Sequence, residues 1–316
     1  MNDVIALLAP GQGSQAPGML SPWLELDGAR DRVEAWSEAT GLDLVRLGTE
    51  ADADEIKDTA ITQPLIVALS LLALEELRRR VDLPPGVPVA GHSVGELAAA
   101  AAAGVLSPAD AVELAAVRGR EMAGACALEP TGMSAVLGGD RDEVLSALAE
   151  LSLDAANHNA TGQIVAAGKI SALQELASEP PSGARVRPLA VAGAFHTRFM
   201  APAEEALRLR VEALSVSDPV TPLLSNADGR PVESGADMMS RLVAQVTRPV
   251  DWYSCMATLV DLGVAAVVEL PPAGTLAGLV KREHKLPTLP LKTPDHLDRV
   301  AAFIHDHHTD LSGGNA

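Results

Sequence analysis

The sequence predicts an α/β fold: a mostly parallel sheet covered by helices on both faces, interrupted once by a β-rich insert. Three observations predict it. Short apolar runs alternate with stretches of helical periodicity along most of the chain. The runs Val4–Ala9 and Val87–Ala90 lead into glycine-rich turns, the second opening straight into a helix. Between residues 128 and 193 the rhythm becomes β-α-β-β-α-β, the order of a ferredoxin-like unit. A chain of 316 residues suits one large domain with a smaller companion.

Val4–Ala9 reads as a strand, followed by the polar loop Pro10-Gly-Gln-Gly-Ser-Gln-Ala-Pro-Gly18. Helices are expected at Ala29–Thr40 and Ile61–Arg80. Val87–Ala90 is a strand, Gly91-His-Ser-Val-Gly95 a turn and Glu96–Ala103 a helix that Gly104 ends. Ser107 and Pro108 read as N-cap and first residue of the next helix, which runs to about Ala127. In the insert, strands are expected at Met133–Leu137, Leu153–Asn157, Gln163–Ala167 and Val186–Ala190, with helices at Arg141–Leu151 and Ser171–Ser178. Beyond it come a helix at Pro202–Leu214, a strand at Val220–Leu224 and turn chemistry at Asn226-Ala-Asp-Gly229. Helices Ala236–Val246 and Val250–Leu262, strand Val264–Leu270, helix Gly274–Lys281, strand Leu286–Leu291 and a helix from Pro294 complete the reading. The tail after about His308 is expected to fray.

Hydrophobic residues at 47% exclude a mostly disordered chain, and aromatics at 2% make the core aliphatic. A net charge of −18 repels phosphate backbones and anionic bilayers, so neither nucleic acid nor a membrane is an expected partner. Cys126 and Cys255 form no CxxC pair and no disulfide framework, which points to a reducing cytoplasm. Residues 4–9 are too few for a signal-peptide core and follow Asp3 instead of a basic segment. The Ala-rich run after Glu96 reads as a buried helix, not a membrane span.

Gly91-His-Ser-Val-Gly95 carries the strongest local signal. It fits G-x-S-x-G between a strand and a helix. Such a turn exposes the Ser93 hydroxyl and sets the Val94 N–H at a helix N-terminus, aimed where an oxyanion would form. A serine nucleophile needs a base. His305, His307 and His308 read as solvated and match no zinc spacing; His284 and His296 read as exposed; His158 falls in a polar loop, Asn157-His-Asn159. His92 adjoins Ser93 but points away from it, as a hydrogen-bonded support. His196 remains, in the apolar loop Val191-Ala-Gly-Ala-Phe-His, as base or as a merely buried histidine. No acid between Ser93 and His196 sits clearly at a strand end. A backbone carbonyl could orient the imidazole instead.

Gly11-Gln-Gly-Ser-Gln-Ala16 formally matches a dinucleotide fingerprint, but Pro17 and Gly18 spoil the helix that should open there. The loop reads better as backbone close to a reacting centre, with Gln12 or its N–H as second oxyanion donor. Arg118 sits mid-helix among Ala, Val and Leu. It is either a surface arginine, as Arg120 is, or a clamp for a substrate carboxylate.

Taken as a set, Pro10-Gly-Gln-Gly-Ser-Gln, Gln63-Pro64, Gly91-His-Ser-Val-Gly-Glu96, Arg118-Gly119, Asn157-His-Asn159 with Gly162-Gln163, Gly193-Ala-Phe-His196 and Gln245-Val-Thr-Arg-Pro249 resemble the malonyl-CoA:acyl-carrier-protein transacylases of type II fatty acid and polyketide synthesis. The resemblance extends to the acyltransferase domains of modular polyketide synthases and covers nearly the whole chain. It implies an α/β-hydrolase-like large domain, residues 1–127 and 194–316, with the ferredoxin-like small domain, residues 128–193, inserted and the active site between them. It implies Ser93 as nucleophile and His196 as base, oriented by a main-chain carbonyl, that of Gln245. It implies an oxyanion hole from the Gln12 and Val94 N–H groups, and Arg118 as ligand of the malonyl carboxylate. Gln63, His92, Asn157, Asn159, Gln163, Phe195 and Gln245 fall among its substrate-binding positions, and Phe195 in Gly-Ala-Phe-His looks like the malonyl-selecting form. His158 inside the Asn pair and the C-terminal His cluster depart from the pattern without touching the chemistry.

The resemblance further implies malonyl-CoA as substrate, a phosphopantetheine thiol on an acyl carrier protein as acceptor, no permanently bound cofactor or metal, and a cytoplasmic monomer. Carrier proteins are acidic, as this chain is, so docking needs a local basic patch. Arg185, Arg187, Arg198, Lys281, Arg282 and Lys285 are candidates. A serine hydrolase such as a thioesterase, or a catalytically silent scaffold, are the alternative readings.

Overall fold

A computed structural model describes residues 4–307. The expected fraying after about His308, and that histidine itself, lie outside the described residues. The first strand, β1 (Val4–Ala9), is apolar throughout because both its faces are covered. Ile5, Leu7 and Ala9 enter one core cluster, while Ala6 and Leu8 enter another. It pairs in parallel with β2 (Val89–Gly91) on one side and β9 (Val264–Glu269) on the other. The edges are β7 (Leu223–Leu224) and β10 (Thr288–Pro290), giving the all-parallel order β10-β9-β1-β2-β7.

The Ile5 face is covered by α1 (Ala29–Thr40), α2 (Leu44–Thr49), α3 (Thr59–Arg78), α4 (Gly95–Ala102) and α5 (Pro108–Cys126). The helices α8 (Ala201–Glu212), α9 (Gly235–Gln245) and α12 (Leu297–Asp306) join the same core. α3 is long and apolar enough to cross a bilayer, but it is wrapped by this core and mostly buried. The Ala6 face is covered by α10 (Trp252–Asp261) and α11 (Thr275–His284). Ser107 caps α5 through the Asp110 N–H, with Pro108 in the first turn, as the sequence predicts.

The second sheet holds β3 (Thr131–Gly138), β4 (Asp154–Ala160), β5 (Gln163–Lys169) and β6 (Ala184–Pro188), with α6 (Arg141–Glu150) and α7 (Ile170–Ser178) packed on it. Its order is β6-β3-β5-β4-β8, antiparallel from β6 to β4, where β8 (Val250–Asp251) adds in parallel.

Four readings change. The helix expected from Val250 begins at Trp252, because the Asp251 side chain caps it through the Ser254 N–H and frees Val250–Asp251 to pair with β4. The polar segment Asn157-His-Asn159 is not a loop but part of β4; it points the two asparagines into one cleft and His158 the other way, against Asp251 and Tyr253. Of the strand expected from Val220 only Leu223–Leu224 is strand, since Pro222 offers no N–H and the Val220 N–H goes to the Ala103 carbonyl instead. His284 and His296 are half-buried: the His284 Nε2 is enclosed without a partner among the described residues, and the His296 Nδ1 accepts from the Lys292 N–H. The short helix α2, capped by Asp43, is an addition.

Candidate active site

Ser93 sits at the carboxyl end of β2, where the chain turns sharply into α4. Its φ of 54° lies in the left-handed region, which a non-glycine residue occupies only when its surroundings impose it. The flanking glycines are dictated by contact. A Cβ on Gly91 would stand 2.1 Å from the carbonyl carbon of Gly95, and one on Gly95 2.3 Å from the Ala9 oxygen. The G-x-S-x-G spacing is therefore what lets this turn lie flat against β1.

His196 follows the insert on a loop with its own strained residue, φ 61° at His196 itself. The loop is fastened by Ala194 N–H to Thr131 Oγ1 at 3.1 Å and by Thr197 Oγ1–H to the Ala194 carbonyl at 2.6 Å. This brings His196 Nε2 to 2.8 Å from Ser93 Oγ. On the other side of the ring Nδ1 lies 2.8 Å from the Gln245 main-chain oxygen, an acceptor, so Nδ1 carries the proton and Nε2 is left free to receive one. Among the described residues no acid bonds the ring, in keeping with the missing third member of a triad. Burial holds the imidazole well down, to about 3, with the Arg118 charge adding to the effect, so His196 is neutral at ordinary pH.

Arg118, mid-helix on α5, is buried at 1% exposure, which removes the surface alternative; Arg120 is exposed and paired with Glu121. Its Nη1 donates to Gln63 Oε1 at 2.7 Å, and Nη2 to Gln245 Oε1 at 2.9 Å and Ser93 Oγ at 3.3 Å. Its Nε–H is buried with no acceptor among the described residues. Burial lowers its pKa to about 10, still far above neutrality. The result is a fixed cation at the Ser93 hydroxyl, beside the neutral amides of Gln63 and Gln245.

A cleft opens in front of Ser93. Gln12, Gln63, His92 and Ser93 line it from the first sheet's side, and Asn157, Asn159, Gln163, Phe195 and His196 from the other. Val94, Arg118 and Gln245 stand behind this wall. The N–H groups of Gln12 and Val94 have no acceptor among the described residues. The Gln12 side chain donates to Thr59 Oγ1 at 3.3 Å. His92 turns away from Ser93 as expected and meets Asn159 Oδ1 at 2.9 Å, its ring edge-on to Trp252.

Sequence reasoning missed Asn226. Read there as a turn residue, it accepts from the Ser93 N–H and donates to the Gly91 carbonyl. It also missed the apolar wall from α11, Leu276 and Leu279, with Met122 and Met133. Nothing distinguishes such residues from ordinary core in a sequence. Of the candidate docking cations, Arg198 is tied to Asp154 at 3.1 Å, while Arg185, Arg187, Lys281, Arg282 and Lys285 are exposed.

Residues 7–308 match the acyl transferase domain family. Malonyl CoA-acyl carrier protein transacylases of Mycobacterium tuberculosis and Bacillus subtilis are 60% and 34% identical, covering 94% and 93% of this chain and 99% and 95% of their own. The crystal structure of MCAT from Mycobacterium tuberculosis superposes with a TM-score of 0.91 at 58% identity, over 94% of this chain and 99% of that one. A malonyl-transacylase solved in complex with its type II PKS acyl-carrier protein superposes with a TM-score of 0.88 at 28% identity, over 94% and 98%. The fold defines an acyl-transfer protein whose cleft holds a hydrogen-bonded serine–histidine pair, and the chain belongs to the acyl transferase family, among the malonyl CoA-acyl carrier protein transacylases.

Proposed function

We propose that this chain moves a malonyl group from coenzyme A to the phosphopantetheine thiol of an acyl carrier protein, through a malonyl ester on Ser93. The observation that carries the reading is the buried Arg118 guanidinium 3.3 Å from Ser93 Oγ, beside a neutral His196. Hydrolysis of a thioester as such needs no such cation, whereas an acyl group ending in a carboxylate is met by it.

Ser93 gives its proton to His196 Nε2 as Oγ attacks the thioester carbon. The tetrahedral oxyanion is received by the Gln12 and Val94 N–H groups, the second at the N-terminus of α4. His196 returns the proton to the departing CoA sulfur, leaving the ester. The carrier thiol then gives its proton to His196, attacks the ester, and Ser93 leaves with the proton restored. Throughout, Gln245 holds the Nδ1–H, and Gln63 and Arg118 face the malonyl carboxylate. His92, Asn157, Asn159, Gln163 and Phe195 shape the channel for the acyl and pantetheine chain. The apolar residues of α11 help keep water from the ester.

The strand order β6-β3-β5-β4 around α6 and α7 supports reading residues 128–193 as a ferredoxin-like small domain inserted into an α/β-hydrolase-like large domain, residues 1–127 and 194–316. We read the chain further as a cytoplasmic monomer without a resident cofactor or metal. The exposed cations at Arg185 and Arg187, and at Lys281, Arg282 and Lys285, are the docking surface we assign to the acidic carrier. The test is incubation with malonyl-CoA and a phosphopantetheinylated carrier protein. Malonyl-carrier protein accumulating faster than free malonate is expected; free malonate as the main product would make the chain a thioesterase.

A further inference from the structure

Behind the cleft lies a buried acid that the steps above do not use. Glu96 sits in the first turn of α4, 1% exposed. One carboxyl oxygen accepts from the Asn226 N–H and the other from Gln245 Nε2. Gln245 Nε2 also faces Asn226 Oδ1 at 3.2 Å and the Ser93 main-chain oxygen at 3.3 Å. Every neighbour of that nitrogen is an acceptor. The neighbour of Gln245 Oε1 is Arg118 at 2.9 Å, which can only donate.

The amide thus has one workable orientation. Flipped, it would set an NH2 against a guanidinium and a carbonyl against the Asn226 and Ser93 oxygens. Arg118 forms no ion pair among the described residues, and Glu96 stands one amide away from it. We propose that Glu96 is a positioning residue: through the Gln245 amide it presents Gln245 Oε1 to Arg118 and so holds the guanidinium where an acyl carboxylate can meet it. This rests on the malonyl-transfer reading. Because the main-chain carbonyl of Gln245, not its side chain, holds His196, the effect falls on recognition of the carboxylate and spares the nucleophile.

The test compares the full chain with Glu96→Gln, which puts an NH2 where Gln245 needs an acceptor. Malonyl loading is followed by intact mass as a function of malonyl-CoA, and Ser93 is labelled separately with a fluorophosphonate, which carries no carboxylate. KM for malonyl-CoA should rise about tenfold, the usual size of losing a hydrogen bond to a charged group, with kcat and the labelling rate nearly unchanged. Gln245→Met, which keeps the main-chain carbonyl, should raise KM at least as far, and the double variant should be no worse than the larger single one. Loading and labelling falling together, an unchanged KM, or additive losses would overturn the proposal. A wild-type chain that takes no malonyl at all would instead remove the transfer reading on which it stands.

Discussion

The Asn226 side chain brackets the Ser93 turn: its Oδ1 accepts from the Ser93 N–H at 2.8 Å while its Nδ2 donates to the Gly91 carbonyl at 2.8 Å. Two groups that the turn cannot satisfy internally are thereby paired, and the strained φ of Ser93 is held from outside its own segment. Asn226→Leu, close in volume but without polar atoms, should leave both unpaired at a cost of about 1–3 kcal/mol each. A drop in thermal midpoint together with slower fluorophosphonate labelling of Ser93 is expected; an unchanged labelling rate would show that the turn holds its shape without Asn226.

Arg118→Ala separates the acyl groups. Malonyl loading should fall by orders of magnitude, while acetyl loading from acetyl-CoA holds or rises, because an acetyl group leaves the wild-type guanidinium buried and unpaired at about 2–5 kcal/mol. Parallel loss of both acyl groups, measured by intact mass, would deny the clamp.

The depressed pKa of His196 has two signatures. kcat/KM for loading reports the free enzyme and should stay flat from neutral pH down to about pH 5, where an ordinary histidine would already be charged. A break near 6.5 would contradict it. Stability runs the other way. The unfolded imidazole takes up a proton below 6.5 and the folded one does not, so stability is lost as pH falls from 6.5 toward 3, and His196→Gln should flatten that limb. Glu96 acts in the opposite sense, between pH 4.5 and 8. Burial raises it to about 8, against the pull of the Asn226 N–H and Arg118, so its contribution is full below 4.5 and is lost as pH rises through 8. Glu96→Gln should remove the decline between pH 4.5 and 8; thermal midpoints across pH measure both.

Gly95→Ala would push a methyl group into the Ala9 carbonyl. Overpacking of this kind costs about 1–3 kcal/mol, and here it also twists the Ser93 turn. Lowered thermal midpoint and lost labelling are expected, whereas Gly124→Ala, with open space around it on α5, should change neither.

Much of this was readable from residues because the signals are local. β1 and α1 fall where their apolar runs begin and end, and Gly91-His-Ser-Val-Gly95 announces its own turn. The pairing of β8 with β4 was not readable, because Val250–Asp251 continues a helical pattern and only a distant strand makes it a strand. Asn226 and Glu96 escaped for the same reason. Each looks local, as a turn residue and a first-turn acid, yet each works on residues more than a hundred positions away. Arg118 could be placed on a helix by its sequence, but its burial depends on α3 packing against α5, where Gly119 allows contact with the Thr59 carbonyl.

The most direct measurement is the intact mass of the chain after brief exposure to malonyl-CoA. Wild type should gain one malonyl unit and lose it again when phosphopantetheinylated carrier protein is added, and Ser93→Ala should gain none. A malonyl adduct that survives in Ser93→Ala would place the chemistry on another residue and contradict the account.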